Sequence, residues 1–455
     1  MVVHYQITGR TGAEISASVE EGVRVGALAA GESLPAVRAL AGSIGVSPAT
    51  VAGAYRSLRD RGLVETAGRG GTRVRSRPPV AVRAGRRPAV PSGVVDLSSG
   101  GPAERLLPPL GPALRRVAAD GAGSGYDRAG PLPALLDLAW RRLAADGVLT
   151  TAARAGGPED APLTITAGAL DGIERALGAY LRPGDKVAVE DPGWANLLDL
   201  VAALGLVAVP VAVDDAGPTA EGLAAAVSAG VRAVIITCRA QNPSGARVSA
   251  DRALALGRLL APYPGILVVE DDHAAELSAT PPNHVDHAAG AWAFVRSVSK
   301  PYGPDLRLAV LAGDDTTVAR IEGRMRLGTG WVSTLLQRLV VELWTDPGVA
   351  ETVAAAGVEY TRLREGLLTR LAGRGIAGTG VSGINVWIPV ADETAVVARM
   401  RDSGYAVAPG ARFRIASPAG VRVTVSTLDE RALDQVADAI AFAVDPPGDP
   451  RGATR

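Results

Sequence analysis

The sequence predicts an α/β protein in two parts: a small winged helix-turn-helix head, and a large body with a mostly parallel sheet and a smaller α+β lobe. Three observations lead there. Residues 75–95, RSRPPVAVRAGRRPAVPSGVV, are rich in proline and arginine with no apolar period, which reads as an extended linker. Up to residue 95 the chain has thirteen arginines, no lysine and six acids, a net +7 balanced by −7 in the remainder. Beyond the linker, short apolar runs alternate with helical patterns.

The 455 residues suffice for several domains with ample core. One cysteine, Cys238, excludes an intrachain disulfide and a cysteine-rich metal site, and suits a reducing compartment. The N-terminus has neither a basic n-region nor an apolar h-region, and no run of 18 uncharged apolar residues occurs, so a cytoplasmic protein without membrane insertion is expected. A basic end on an acidic body hints at nucleic acid, although a charged face is often merely solvated.

In the head, Val37, Leu40, Ala41 and Ile44 fall on one helical face, and Gly45 supplies a turn. Ser47 caps a second helix with Pro48 at its first position, and Val51, Ala54, Tyr55 and Leu58 form its buried stripe. Two short helices about a glycine turn make a helix-turn-helix, whose outward face presents Ala49, Thr50, Gly53 and Arg56. LVETAGRGGTRV then reads as a two-stranded wing with Arg69 at its tip.

In the body, LTIT (163–166), KVAVE (186–190), VRAVIITC (231–238), GILVVED (265–271), WAFVRSVS (292–299) and LRLAVLAG (306–313) read as buried strands. A ligand site belongs at their carboxyl ends. From about residue 349, helices flank the shorter strands of VSGINVWIPV and GVRVTVSTL.

Several residues at the strand ends carry possible chemistry. The chain has only two lysines, and Lys186 lies in a surface turn. Lys300 ends a strand beside Ser297 and Ser299, where a desolvated amine could form a Schiff base with an aldehyde cofactor; a salt-bridged lysine at a sheet edge is the plainer alternative. Asp271 could hold a pyridine nitrogen protonated or simply cap a helix, and Asn242 in QNPSG could donate to a phenolate or be a turn residue. The turn TAGAL aims the Gly168 and Ala169 amides at a helix N-terminal anion site. Trp194 in EDPGW could stack on a flat ring or fill core, and Arg422 could bind a carboxylate or face water.

Residues 33–74 resemble the winged helix-turn-helix of GntR-type bacterial repressors. The resemblance implies that Arg38, Ser47, Thr50, Arg56 and Arg69 contact double-stranded DNA; Ala36 stands where that family usually has serine. The ordered series TAGAL, EDPGW, QNPSG, VVEDDH, SVSK and Arg307 resembles class I aminotransferases of fold type I. It implies pyridoxal 5'-phosphate on Lys300 as an internal aldimine, Asp271 at the ring nitrogen, Asn242 at the phenolate and Trp194 stacked. It further implies Ser297 and Arg307 on the phosphate, and Arg422 on an effector carboxylate. GYDRAGPLPAL is similar to the family segment whose tyrosine, here Tyr126, reaches the partner subunit's phosphate, implying a homodimer, and SSGGP (98–102) to its substrate-side loop.

Three departures from the pattern stand out. His273 replaces a phenolate-bonding tyrosine, and Ala167 and Ala169 replace hydroxyl residues, which predicts weaker phosphate binding. The whole chain resembles MocR-type transcriptional regulators, with a head at 1–76, a linker at 77–95 and a body at 96–455. The resemblance implies a regulator that senses the cofactor or a small amine or amino-acid effector. The alternatives are a working aminotransferase with an accessory DNA-binding head and a cofactor-free dimerisation scaffold.

Overall fold

The structure is a computed structural model that describes residues 5–24, 27–29, 31–60, 63–66, 71–75, 90–120, 125–126, 130–149, 162–278, 280–285 and 290–445. The chain divides into two units, Met1–Arg87 with Leu181–Val187 and Asn196–Ala208, and Pro88–Tyr180 with Ala188–Ala195 and Val209–Arg455.

In the head, α1 (Gly12–Arg24), α2 (Val37–Ile44) and α3 (Pro48–Asp60) precede β1 (Val64–Thr66) and β2 (Thr72–Val74). Gly45 ends α2 in the left-handed conformation at φ 68°, the backbone state that glycine adopts without a Cβ penalty. Ser47 caps α3, its Oγ accepting from the Thr50 amide at 3.1 Å. The stripe Val51, Ala54, Tyr55 and Leu58 is buried against Ile15 and Val19 of α1 and Leu40 and Ala41 of α2. Each Val, Leu or Ile among these contributes about 1.5–3 kcal/mol by leaving water. The Tyr55 hydroxyl donates to the Pro35 carbonyl at 2.9 Å, so its ring belongs to the core. β1 and β2 pair antiparallel with Val64 opposite Val74, the expected wing. Its tip with Arg69, and the linker 77–89, lie outside the described residues.

In the body, β3 (Val95–Asp96) leads to a mixed eight-stranded sheet of β4 (Leu163–Thr166), β5 (Lys186–Asp191), β6 (Val207–Asp214), β7 (Gly217–Pro218), β8 (Ala233–Thr237), β9 (Leu267–Asp272), β10 (Trp292–Ser297) and β11 (Ala309–Gly313). Their order is β4-β11-β10-β9-β8-β5-β6-β7. β8, β9 and β10 run parallel, while β11 is antiparallel to both β10 and β4. The strands β4, β8 and β11 are buried along their whole length, as expected of a sheet covered on both faces.

The smaller lobe has β12 (Asn385–Pro389), β13 (Tyr405–Ala406), β14 (Ala408–Pro409) and β15 (Gly420–Thr424). β12, β15 and β14 form one antiparallel sheet, and β13 pairs with β3. Their core is Leu97, Leu363, Leu367, Val386, Ile388, Val421 and Val423 with Leu433 and Ile440 of the helix Leu433–Val444.

Candidate functional site

Lys300 lies in the short helix Ser299–Tyr302, immediately beyond β10. Its half-buried amine donates to the Gly100 carbonyl. Burial, then the Arg422 guanidinium, lowers the amine pKa to about 8, with Asp271 opposing.

On β9, three consecutive acids divide between the two sheet faces by the alternation of a strand. Glu270 accepts from the Val285 amide at 3.0 Å. Asp272 pairs with Arg239 and Arg296, each at 2.7 Å. Burial alone would raise the Asp272 carboxyl, but Arg296 and then Arg239 outweigh it and hold it at about 2. Asp271, between them, is 2% exposed. Its Oδ2 accepts from His273 Nδ1 at 2.9 Å, and its buried Oδ1 has no hydrogen-bond partner among the described residues.

The bond to Asp271 redirects His273. A carboxylate oxygen accepts, so Nδ1 donates, and in a neutral imidazole Nε2 then carries no proton. For His273 to take the place of the phenolate-bonding tyrosine through Nε2, it therefore needs to be the imidazolium. The Trp194 ring lies 6.3 Å from the His273 ring at 31°.

Asn242 follows β8, joined to Pro243 by a cis peptide bond. Its Oδ1 accepts from Arg422 Nη1 at 2.9 Å, so its NH2 is the end able to donate to a ligand. Arg422 on β15 is 4% exposed, which excludes the water-facing alternative because both faces of β15 are covered. Its Nη2 donates to the Ser98 carbonyl at 2.6 Å, and its guanidinium lies 4.8 Å from the Phe413 ring.

The turn between β4 and the helix Ala169–Tyr180 has Gly168 at φ 100°, where a Cβ would lie 2.6 Å from Arg307 Nη2. Only a bare backbone lets this guanidinium approach so closely. Ala169 opens the helix Ala169–Tyr180. The Ala167 amide is taken by Asp171 Oδ2 at 2.9 Å, and Arg175 compensates that acid at 2.8 Å. Ser297 is buried at the end of β10, while Arg307 is exposed. Tyr126 is 91% exposed and meets Trp331 edge-on at 5.9 Å. Thus Lys300, Asp271, His273, Trp194, Asn242 and Arg422 are linked by bonds, ring contacts or charge, Arg307 is paired with Gly168, and Tyr126 stands apart with Trp331.

Sequence reasoning missed two supporting groups. Glu190, pushed up to about 7 by burial, accepts from the Thr237 amide and hydroxyl and from Gln241 Nε2, bracing the turn that carries Asn242. Asp191 accepts from the amides of Ile415, Ala416 and Ser417 at 2.7–2.9 Å, tying that loop beside Trp194. The signal available was the acid pair in EDPGW.

In the head, Arg38, Ser47 and Arg56 are exposed and Thr50 is half-buried. The Ser47 and Thr50 hydroxyls bond each other at 2.8 Å. Among the described residues, no group of His, Cys, Asp and Glu could hold a metal ion, and no helix is long and apolar enough to cross a membrane.

The body matches the family Aminotransferase class I and II over residues 93–440, and the head matches the bacterial regulatory proteins of the gntR family over 11–74. The chain belongs to the MocR-type transcriptional regulators, which join these two parts. It is 39% identical to the vitamin B6 salvage pathway transcriptional repressor PtsJ of Salmonella typhimurium, over 95% of this chain and 98% of that one. The HTH-type transcriptional regulator TauR of Rhodobacter capsulatus is 29% identical over 87% and 88% of the two chains. An archaeal alanine:glyoxylate aminotransferase shares the fold, with a TM-score of 0.68 and 21% identity over 77% of this chain and 90% of that one.

Proposed function

We propose that this regulator binds operator DNA as a homodimer and holds pyridoxal 5'-phosphate through Lys300, changing its DNA binding with the supply of that cofactor or of an amine-bearing effector. The observation that carries the proposal is Asp271, a buried carboxylate with one oxygen held by His273 and the other unpartnered among the described residues. An orphaned buried acceptor is costly unless a donor such as a protonated ring nitrogen meets it. Gly168 and Arg307 add a bare turn beside a guanidinium, suited to a phosphate.

When bound, the cofactor supplies an aldehyde that condenses with amines and a ring that withdraws electrons. Lys300 provides the amine, and Asp271 keeps a proton at the ring nitrogen. Asn242 donates to the phenolate, and Trp194 with His273 lines the ring. Ser297, Arg307 and the Gly168 and Ala169 amides hold the phosphate, with Tyr126 reaching that of the partner subunit. Arg422 takes the carboxylate of an amino-acid effector. In the head, at 1–76, Arg38, Ser47, Thr50, Arg56 and Arg69 meet DNA; the linker occupies 77–95 and the body 96–455.

The name of the 39% identical relative favours a vitamin B6 species as the effector. The test is the visible absorbance of the protein titrated with pyridoxal phosphate, beside Lys300→Ala, followed by DNA binding with and without the cofactor. A band that requires Lys300, together with a shift in DNA affinity, supports the proposal; no band refutes it. The retained Lys300, Asp271 and Arg422 favour a second reading, a working aminotransferase, which multiple-turnover amino transfer to a keto acid would establish.

A further inference from the structure

The stretch Leu97–Gly101, just beyond β3, crosses the site as a strap. Its ends are stitched to the smaller lobe: the Leu97 amide donates to the Ala406 carbonyl at 2.8 Å, and the Thr424 amide to the Leu97 carbonyl at 2.8 Å. The Ser426 hydroxyl donates to the Gly101 carbonyl at 2.6 Å. Its middle meets the two cations of the site. The Ser98 carbonyl accepts from Arg422 and the Gly100 carbonyl from Lys300, while the Gly100 amide donates to Thr424 Oγ1 at 3.0 Å.

Gly100 is fitted to this crossing. It sits at φ 64°, and a Cβ there would lie 2.8–3.0 Å from the Arg422 guanidinium. A side chain would strain the backbone and push the strap from the arginine. The bonds from the Lys300 ammonium and the Arg422 guanidinium to the two carbonyls are charge-assisted, stronger than the neutral ones that hold the strap's ends. The strap thus follows the linker across the short strand β3 and depends on the side chains that an aldehyde and a carboxylate would engage.

We propose that Ser98–Gly101 is a strap released when a ligand draws Lys300 or Arg422 away from its carbonyls, and that its release changes the DNA affinity of the head through the linker. This inference rests on the functional reading above, because Lys300 and Arg422 are the groups that reading assigns to cofactor and effector. An amine-reactive aldehyde competes for Lys300, and a carboxylate competes with Ser98 for Arg422. A ligand moves the equilibrium only through such a difference in contacts between the two states. Gly100 is a positioning residue here, since it sets where the carbonyls fall.

The test uses the full chain without added cofactor, in wild type, Lys300→Met, Thr424→Val and the control Lys186→Met, whose side chain is exposed. Thermal unfolding checks each variant's folding. Hydrogen exchange is followed at the Leu97 and Gly100 amides, and DNA affinity is measured at fixed salt. Lys300→Met and Thr424→Val are expected to speed Gly100 exchange about tenfold or more and to shift DNA affinity about fivefold or more, while Lys186→Met changes neither. Pyridoxal phosphate should speed Gly100 exchange in the wild type and leave Lys300→Met unaltered. Should either variant fail to fold, Gly100→Ala takes its place with the same expectation.

Faster exchange with DNA affinity unchanged within twofold would overturn the proposal, as would unchanged exchange. If pyridoxal phosphate gives no absorbance band with the wild type, the cofactor reading fails, but the variants without cofactor still decide the strap.

Discussion

Lys300 shows how one side chain's surroundings set its chemistry. With the amine near 8, about a tenth of it is neutral at pH 7, against roughly 0.03% at the ordinary lysine value. Only the neutral amine attacks an aldehyde, so the rate of pyridoxal phosphate attachment should rise with pH and level off above about 9. Stopped-flow absorbance across pH 6–10 measures this, and Arg422→Met should move the midpoint upward by removing a neighbouring cation. A midpoint near 10.5 in the wild type would show that burial and Arg422 do not govern the amine. Asp271 makes a complementary prediction. Charge-assisted hydrogen bonds contribute about 1.5–3 kcal/mol, so Asp271→Asn should weaken cofactor binding roughly 10–150-fold with the fold intact. A change smaller than threefold would mean that the orphaned Oδ1 does not face the ring nitrogen.

At the scale of elements, the sheet is held in register by charge as well as by apolar packing. Asp272 on β9 is fully buried between Arg239 and Arg296, and Arg296 also reaches Asp146 at 2.6 Å. Arg296→Met should therefore destabilise the body by about 3–5 kcal/mol, read from urea unfolding, because it leaves the buried Asp272 carboxylate with Arg239 as its one remaining cation rather than merely removing a bond. The pH dependence has a definite sign. The folded carboxyl lies below its unfolded value, so the stabilisation is full above about 4 and is lost as pH falls toward 2. These bonds were not legible in the sequence, since an arginine within an apolar run shows no partner. Strand positions were legible where apolar runs were continuous, as in β8 and β9. β6 was overlooked: Pro210 interrupts its run, and half of its residues are exposed near the sheet edge, with β7 alone beyond it. The helix-turn-helix was readable because Gly45, Ser47 and Pro48 each have a local backbone reason. The Lys300–Gly100 bond joins residues 200 apart in sequence, and only tertiary structure brings them together.

Across the whole molecule, the +7 segment and the remaining −7 are expected to carry separable tasks. Binding to DNA through phosphates releases counterions, so log affinity falls linearly with log salt, by about 0.9 per phosphate neutralised. Arg38→Ala, at an exposed position of α2, should reduce that slope by about 1 and leave the pyridoxal phosphate band unchanged. Lys300→Ala should do the reverse: it loses the band and keeps the slope, because no phosphate contact is removed, although its affinity at a given salt can shift with the strap. Measuring both quantities on both variants separates contact with DNA from the setting of the conformation that makes contact. A Lys300→Ala protein that stays folded but loses salt-dependent DNA binding altogether would place the lysine in the interface or in its assembly, and the division between head and body would have to be abandoned.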